Sequence, residues 1–212
     1  MDASNIIITV GRQLGSGGKE IAALLAQRLA YKMYDQELLN LAAKESGLCE
    51  RLFERNDEQK AFSKSSFRYH LPFIGGENEM FQNELSQDKL FKFQSEVIVK
   101  AAETDNCIFV GRCADYILRE SPKLISLFIT ANIEDRIQRV MQRRQCDEKT
   151  AGSIVREGDE SRAAYYDFYT GKTWGHASSY HLCVNSSVLG ISATADFLGQ
   201  YIQAKYSKLC GE

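Results

Sequence analysis

The sequence predicts an α/β fold built on a parallel sheet, and three observations carry that prediction. Short aliphatic and β-branched runs at residues 6–10, 107–110, 124–129 and 182–184 alternate with segments of helical apolar spacing. The runs are nearly free of polar residues, as suits strands covered on both faces. The first run ends in a glycine-rich turn and the second in Gly111-Arg112, so two strand ends point at one crevice.

The turn after the first strand reads Gly11-Arg12-Gln13-Leu14-Gly15-Ser16-Gly17-Gly18-Lys19-Glu20. Gly15, Gly17 and Gly18 let the backbone take positive φ and come close to a ligand. Successive N–H groups at a helix start favour an anion, and Lys19 adds a full charge. The turn therefore reads as a phosphate cradle, with phosphate contacts expected at Gly15, Ser16, Gly17, Gly18, Lys19 and Glu20. It departs twice from the pattern of Gly, four residues, then Gly-Lys-Ser/Thr. Gln13 stands at the first glycine and Glu20 at the hydroxyl. Ser16 is then the nearest hydroxyl for a magnesium ion.

Ile21, Leu24, Leu25 and Leu29 continue as an amphipathic helix. Residues 31–34 suggest a strand at the sheet edge. Asp35 stands where an N-cap belongs, before Leu38, Leu39, Leu41 and Ala42, and a contact to substrate is its other reading. From about residue 47 to 92 charged and aromatic residues mix irregularly around Pro72 and Gly75-Gly76, which suggests a mostly helical insertion over one side of the sheet. Its Arg68, Tyr69 and His70 are candidates for substrate contact, although surface or packing roles are commoner for such residues. Helices are expected over 90–102, 133–144 and 191–206.

Arg136, Arg139, Arg143 and Arg144 follow helical spacing, and Arg156, Asp159 and Arg162 fall three residues apart on a further helix. A salt-bridge ladder on a solvated face gives the same pattern. Asp159 is equally placed to orient the two flanking guanidiniums, whose planar forks suit phosphoryl oxygens. Tyr165, Tyr166, Phe168, Tyr169 and Trp174 are expected to pack this segment onto the body rather than to stack a base. His176 and His181 lack the companions of a metal site.

Composition sets the outer bounds. The 212 residues, 44% hydrophobic and 25% charged, suit one globular domain with a substantial core. A net charge of −2 gives no general pull toward nucleic acid or an anionic membrane. The six cysteines are scattered without metal-ligand spacing, and reduced thiols in a cytoplasmic protein are expected.

Taken together, these segments resemble the nucleoside monophosphate kinases, and most closely the cytidylate kinase-like family. The resemblance runs almost end to end. It covers the loop at residues 15–19, Asp35, Val110-Gly111-Arg112, residues 125–131, the Arg156…Asp159…Arg162 signature, Arg162-Ala163-Ala164-Tyr165-Tyr166…Tyr169-Thr170-Gly171…Trp174, and Val184-Asn185-Ser186. It implies a three-layer P-loop NTP hydrolase/kinase fold in one kinase domain, 1–212. The core would comprise 1–46, 93–144 and 180–212, with a nucleoside-monophosphate-binding insertion at 47–92 and an arginine-bearing lid at 145–179. It further implies ATP and Mg²⁺, with Lys19 and the loop amides on the β- and γ-phosphates, helped by Arg143. Arg112 would grip the acceptor's phosphate and Asp35 would place the acceptor. Arg156 and Arg162, with Asp159, would clamp the transferring group.

The implied reaction is ATP-dependent phosphorylation of a nucleoside monophosphate, CMP or dCMP first. Cytidylate kinases proper carry Gly-Arg-Asp where this chain has Gly111-Arg112-Cys113. Another small-molecule acceptor, or a nucleotide-binding regulator without efficient turnover, are the competing readings. Small-molecule nucleotides are the expected partners, without nucleic acid or membrane. A monomer is the expected state, and a dimer its alternative.

Overall fold

The computed structural model describes residues 5–35 and 77–210. The helix expected after Asp35 and the candidates Arg68, Tyr69 and His70 lie outside the described residues. In chain order the elements are β1 (Ile7–Arg12), α1 (Gly18–Leu29), β2 (Lys32–Tyr34), α2 (Glu77–Thr104), β3 (Cys107–Val110) and α3 (Ala114–Ile117). They continue with β4 (Leu124–Thr130), α4 (Ile133–Arg144), α5 (Glu148–Thr170), a 3₁₀ turn (Ala177–Ser179), β5 (Leu182–Asn185) and α6 (Ser186–Cys210).

The five strands form one sheet in the order β2-β3-β1-β4-β5, and every neighbouring pair is parallel. Alternate side chains of a strand face opposite ways, and here both ways lead into a core. Ile8 and Val10 of β1 meet Ile21, Ala22 and Leu25 of α1 and Ala195, Leu198 and Ile202 of α6. Ile7 and Phe109 point to the other layer, against Ile98, Ala101 and Ala102 of α2 and Ala114 of α3. Covering both faces requires apolar residues at consecutive positions, which is why the strands read as near-continuous hydrophobic runs. Truncating one of the fully buried isoleucines to alanine typically costs about 2–5 kcal/mol.

The edge strand expected at 31–34 is β2, paired with β3 from Lys32↔Cys107 to Tyr34↔Phe109. Two boundaries differ from expectation. Helix α2 begins at Glu77, well before residue 90, inside the stretch whose mixed composition hid its period. Helix α6 begins at Ser186 rather than 191 and breaks at Gly190, whose φ of 77° and ψ of 170° are not helical. Local chemistry sets other ends. Asp147 caps α5 by accepting the N–H of Thr150 at 2.7 Å, an interaction of about 1 kcal/mol. Gly171 closes that helix at φ 65°, in the left-handed region glycine enters most readily.

The sheet centre positions the site. β3 lies on one side of β1 and β4 on the other, so the chain reverses its progress across the sheet at β1. Crevices form beyond the carboxyl ends of strands at such a point. Among the described residues no helix is long and apolar enough to cross a membrane.

Candidate functional site

The turn from Gln13 to Gly17 leaves β1 and delivers the start of α1. Gly15 and Gly17 take φ of 79° and 77°, where a Cβ is strained, and a Cβ on Gly15 would lie 2.6 Å from the Arg136 carbonyl oxygen. Gln13 is not among the positive-φ residues, so the glycine of the usual pattern is not required there. Its N–H donates to the Ile129 carbonyl at 3.0 Å, tying the loop to β4. A cleft of about 140 Å³ opens beside this turn, lined by Gly15, Gly17, Gly18 and Lys19 with Arg143, Arg144 and Arg162 among its basic walls.

Leu14 shows how the loop is fastened. Its N–H donates to Asp159 Oδ1 at 2.7 Å, and its carbonyl accepts from Arg136 Nε at 2.8 Å. The Arg136 guanidinium in turn pairs with Asp159 Oδ2. The three groups form a closed ring in which α4 and α5 hold both polar ends of one loop residue. Gly158 makes the approach possible, since a Cβ there would sit 3.1 Å from Leu14 Cδ1. Arg139 adds a bond to the Gly15 carbonyl at 3.0 Å, and Ser186 Oγ donates to the Ser16 carbonyl at 2.6 Å. The Asp159 carboxylate thus serves Arg136 and the loop, not the two flanking arginines the spacing suggested.

The other expected residues distribute as follows. Lys19 Nζ lies 2.7 Å from Asp35 Oδ2, and Asp35 is well covered. Glu20, which takes the place of the usual hydroxyl, pairs with Arg143. Ser16 is fully buried and its hydroxyl donates to the Gln13 carbonyl at 2.9 Å. Arg162 donates to the Arg12 carbonyl at 3.2 Å and lines the cleft beside the glycine-rich turn. Arg156, about one and two-thirds turns earlier, lines a separate cleft between α4 and α5 with Ile133, Ile137, Asp147 and Ser153. The structure therefore does not bring Arg156 and Arg162 into one clamp. Six residues turn the two side chains about 120° apart around the helix axis, and only the Arg162 face meets the loop.

At the neighbouring strand end, Gly111, Arg112 and Cys113 have φ of 76°, 58° and 55°, three left-handed residues in succession. The Arg112 guanidinium lies over the Tyr165 ring at 5.2 Å from its centroid, a cation–π contact. Cys113 is buried, which pushes its thiol up to about 12, with the nearby Asp115 carboxylate adding to the shift. It brings no charge to the site. Tyr166, Trp174 and Tyr180 pack around Phe128, and Phe91 stacks on Tyr169 at 4.0 Å, so these aromatics pack the segment as expected, whereas Phe168 is exposed to solvent and does not. His176 accepts the Ser178 N–H within the 3₁₀ turn, and His181 accepts that of Ser126; among the described residues no group of metal-ligating side chains converges. Cys107, Cys113, Cys146 and Cys183 are free thiols.

Sequence reasoning missed Arg12, whose side chain lies against Gly111 and lines the same cleft as Lys19 and Arg162. It also missed the fastening role of Arg136 and Arg139, which stood in the arginine pattern without a distinguishing mark. The clue was position: a nearly buried arginine, Arg136, requires an anionic partner.

No match to this chain was found among curated protein sequences. Among solved structures, an uncharacterized protein from Eubacterium ventriosum ATCC 27560 superposes with a TM-score of 0.72 at 28% identity, over 94% of this chain and 99% of that one. Shikimate kinase from Bacteroides thetaiotaomicron superposes with a TM-score of 0.51 at 13% identity, over 93% and 98% of the two chains. Shikimate kinase from Acinetobacter baumannii, in complex with shikimate, gives 0.50 at 12% identity, over 96% of both. The latter two show the fold alone, that of the P-loop kinases. A family model, described as the cytidylate kinase-like family, matches residues 7–188. That match covers most of the chain, including the glycine-rich turn and the parallel sheet, and the protein belongs to the cytidylate kinase-like family.

Proposed function

We propose that this protein transfers the γ-phosphoryl group of ATP to a nucleoside monophosphate, CMP or dCMP first. The observation that carries the reading is the loop itself: two left-handed glycines at the N-terminus of α1, with Lys19 and Arg162 on the walls of one cleft. Amides and a helix N-terminus favour phosphate, and cations fixed beforehand stabilise charge on the transferring group without reorganising. In the reaction an acceptor oxygen bonds to the γ-phosphorus as its bond to the bridging oxygen breaks, and ADP leaves. Lys19 and the amides of residues 15–19 hold the β- and γ-phosphates, Arg143 and Arg162 face the phosphate chain, and Arg112 takes the acceptor's phosphate. Asp159 acts through the loop as a positioning residue, and Arg156 lies outside this set. The protein works as a cytoplasmic monomer on small-molecule nucleotides.

ATP phosphates fit these donors. A magnesium ion does not fit the loop's own oxygens, because the Ser16 hydroxyl is buried and turned to Gln13 while Glu20 is paired with Arg143. When bound with ATP, magnesium neutralises phosphate charge, and no step here depends on a protein ligand to it.

A second acceptor class is favoured by one contact. Asp35 stands beside Lys19, and a carboxylate there would take the proton of an alcohol, which a phosphate acceptor does not need to lose. The deciding experiment is steady-state ADP production with ATP and Mg²⁺ across CMP, dCMP, UMP, AMP, GMP, a set of small polyols and no acceptor. Turnover dependent on CMP or dCMP is expected. Turnover with another nucleotide or a polyol alone would replace the acceptor, and ATP binding without any turnover would replace the reaction with nucleotide sensing.

A further inference from the structure

The turn at Gly111-Arg112-Cys113 raises a physical question that its sequence does not answer. Two non-glycine residues hold positive φ in succession. Such backbone persists only where the surroundings over-determine it. Part of the restraint is local: the Gly111 N–H donates to the Val10 carbonyl at 3.1 Å, and the Tyr116 and Ile117 N–H groups each donate to the Cys113 carbonyl at 2.9 Å. The rest comes from α5. The Tyr165 ring lies under the Arg112 guanidinium, and the Tyr166 hydroxyl donates to Asp115 Oδ2 at 2.7 Å. Tyr166 is buried, between Cys113, Phe128 and Tyr180. A bond from a buried hydroxyl to a carboxylate is stronger than one between neutral groups.

We infer that Tyr166 and Asp115 form a positioning pair that holds the Gly111–Cys113 turn, and with it Arg112, in place for the acceptor. The inference rests on the proposed role of Arg112 toward an acceptor's phosphate. Tyr166 lies two helical turns from Asp159 along α5. One rigid helix therefore grips the donor loop through Asp159 and the acceptor turn through Tyr166, which fixes the separation between the two phosphate sites. Phosphoryl transfer depends on that separation, because most of its catalysis is positioning. Neither Tyr166 nor Asp115 needs to touch a substrate. Both act through Arg112.

The test uses Tyr166→Phe, which keeps the ring and removes only the hydroxyl, with Asp115→Ala, Asp115→Asn and the double variant Tyr166→Phe/Asp115→Ala. With the acceptor that turns over in the panel above, Tyr166→Phe is expected to raise the acceptor KM about tenfold while the ATP KM stays within about twofold. Asp115→Asn, whose amide oxygen still accepts the bond, should restore most of what Asp115→Ala loses. The double variant should be no worse than the poorer single one. Equal movement of both KM values, or additive losses, would overturn the pairing.

A second readout is independent of turnover. Amide hydrogen exchange at residues 107–118 should quicken in Tyr166→Phe while residues 13–20 stay protected. If no acceptor is phosphorylated, the proposed reaction fails, and the exchange result still decides the pair. Unchanged exchange at 107–118 would overturn it, whereas faster exchange confined there would sustain it as a restraint on the turn.

Discussion

The turn after β1 keeps its positive φ values on Gly15 and Gly17 and is fastened by polar groups from α4, α5 and α6. The turn after β3 places Arg112 and Cys113 themselves at positive φ and is wrapped in aromatic rings. The first arrangement puts no side-chain-bearing residue at positive φ, as suits a turn that must come close to a fixed, highly charged group. The second trades backbone strain for a guanidinium presented at a set angle, and its walls are apolar packing that substitution can reshape.

Removing the cations beside the turn after β1 should cost the most. Lys19→Ala should weaken ATP binding and lower kcat/KM on the order of a thousandfold or more, and Arg162→Ala should lower kcat by a similar factor with far less effect on ATP binding. Arg156→Ala provides the contrast from the same helix. It faces the other cleft, so its loss should fall well short of that of Arg162→Ala. Equal losses for the two arginine variants would mean that α5 turns Arg156 into the site during the reaction. Equal loss of ATP binding and kcat in Arg162→Ala would assign Arg162 to ground-state binding instead.

The ring around Leu14 comes next. Arg136→Met keeps much of the side-chain volume but leaves the Asp159 carboxylate without its cation and the Leu14 carbonyl without its donor. Breaking a buried ion pair from one side typically costs about 3–5 kcal/mol. The lower figure suits a pair whose carboxylate keeps some solvent contact, and for a chain of this size it corresponds to roughly 6–12 °C in Tm. Thermal and urea unfolding of the variant would measure this. A wild-type Tm would show that the loop is held by its glycines and backbone bonds alone, and the contrast between the two turns would lose its polar half.

What could be read from the sequence follows the range of the forces involved. The strands, the phosphate turn and the helices around them were legible because periodicity and glycine placement are local signals. The start of α2 at Glu77 was not, since its sequence lies in a stretch without a clean apolar period. In the site, Lys19 and the glycines declared themselves by spacing. The partners of Asp159 did not: its bond to Leu14 spans 145 residues, and that of Arg136 to Leu14 spans 122. Spacing along a helix suggested that Asp159 serves Arg156 and Arg162, but which face of α5 meets the loop is decided by tertiary packing at Gly158.

The smallest effect tests a region away from both turns, where β4 meets the approach to β5. His181 Nδ1 accepts the Ser126 N–H at 3.0 Å, and the His181 N–H donates to the Ser126 carbonyl at 2.9 Å. Partial burial lowers the imidazole's pKa below its usual 6.5, and nearby Lys205 lowers it further. The accepting nitrogen must also be unprotonated to keep its bond. As pH falls through 6.5 the unfolded chain takes up a proton before the folded one does, so stability declines from there and levels off once pH passes below the folded pKa. His181→Gln removes the titration and retains an acceptor, and its Tm should therefore fall less than the wild type's between pH 7.5 and 5.5. Asp115, whose pKa burial raises and whose linkage has the opposite sign, is present in both proteins, so its contribution cancels in their difference. Because the imidazole is only partly covered, the difference should be smaller than for Arg136→Met. Parallel pH profiles for the two proteins would mean that protonated His181 is accommodated where it stands, and that the Ser126 contact does not depend on its charge.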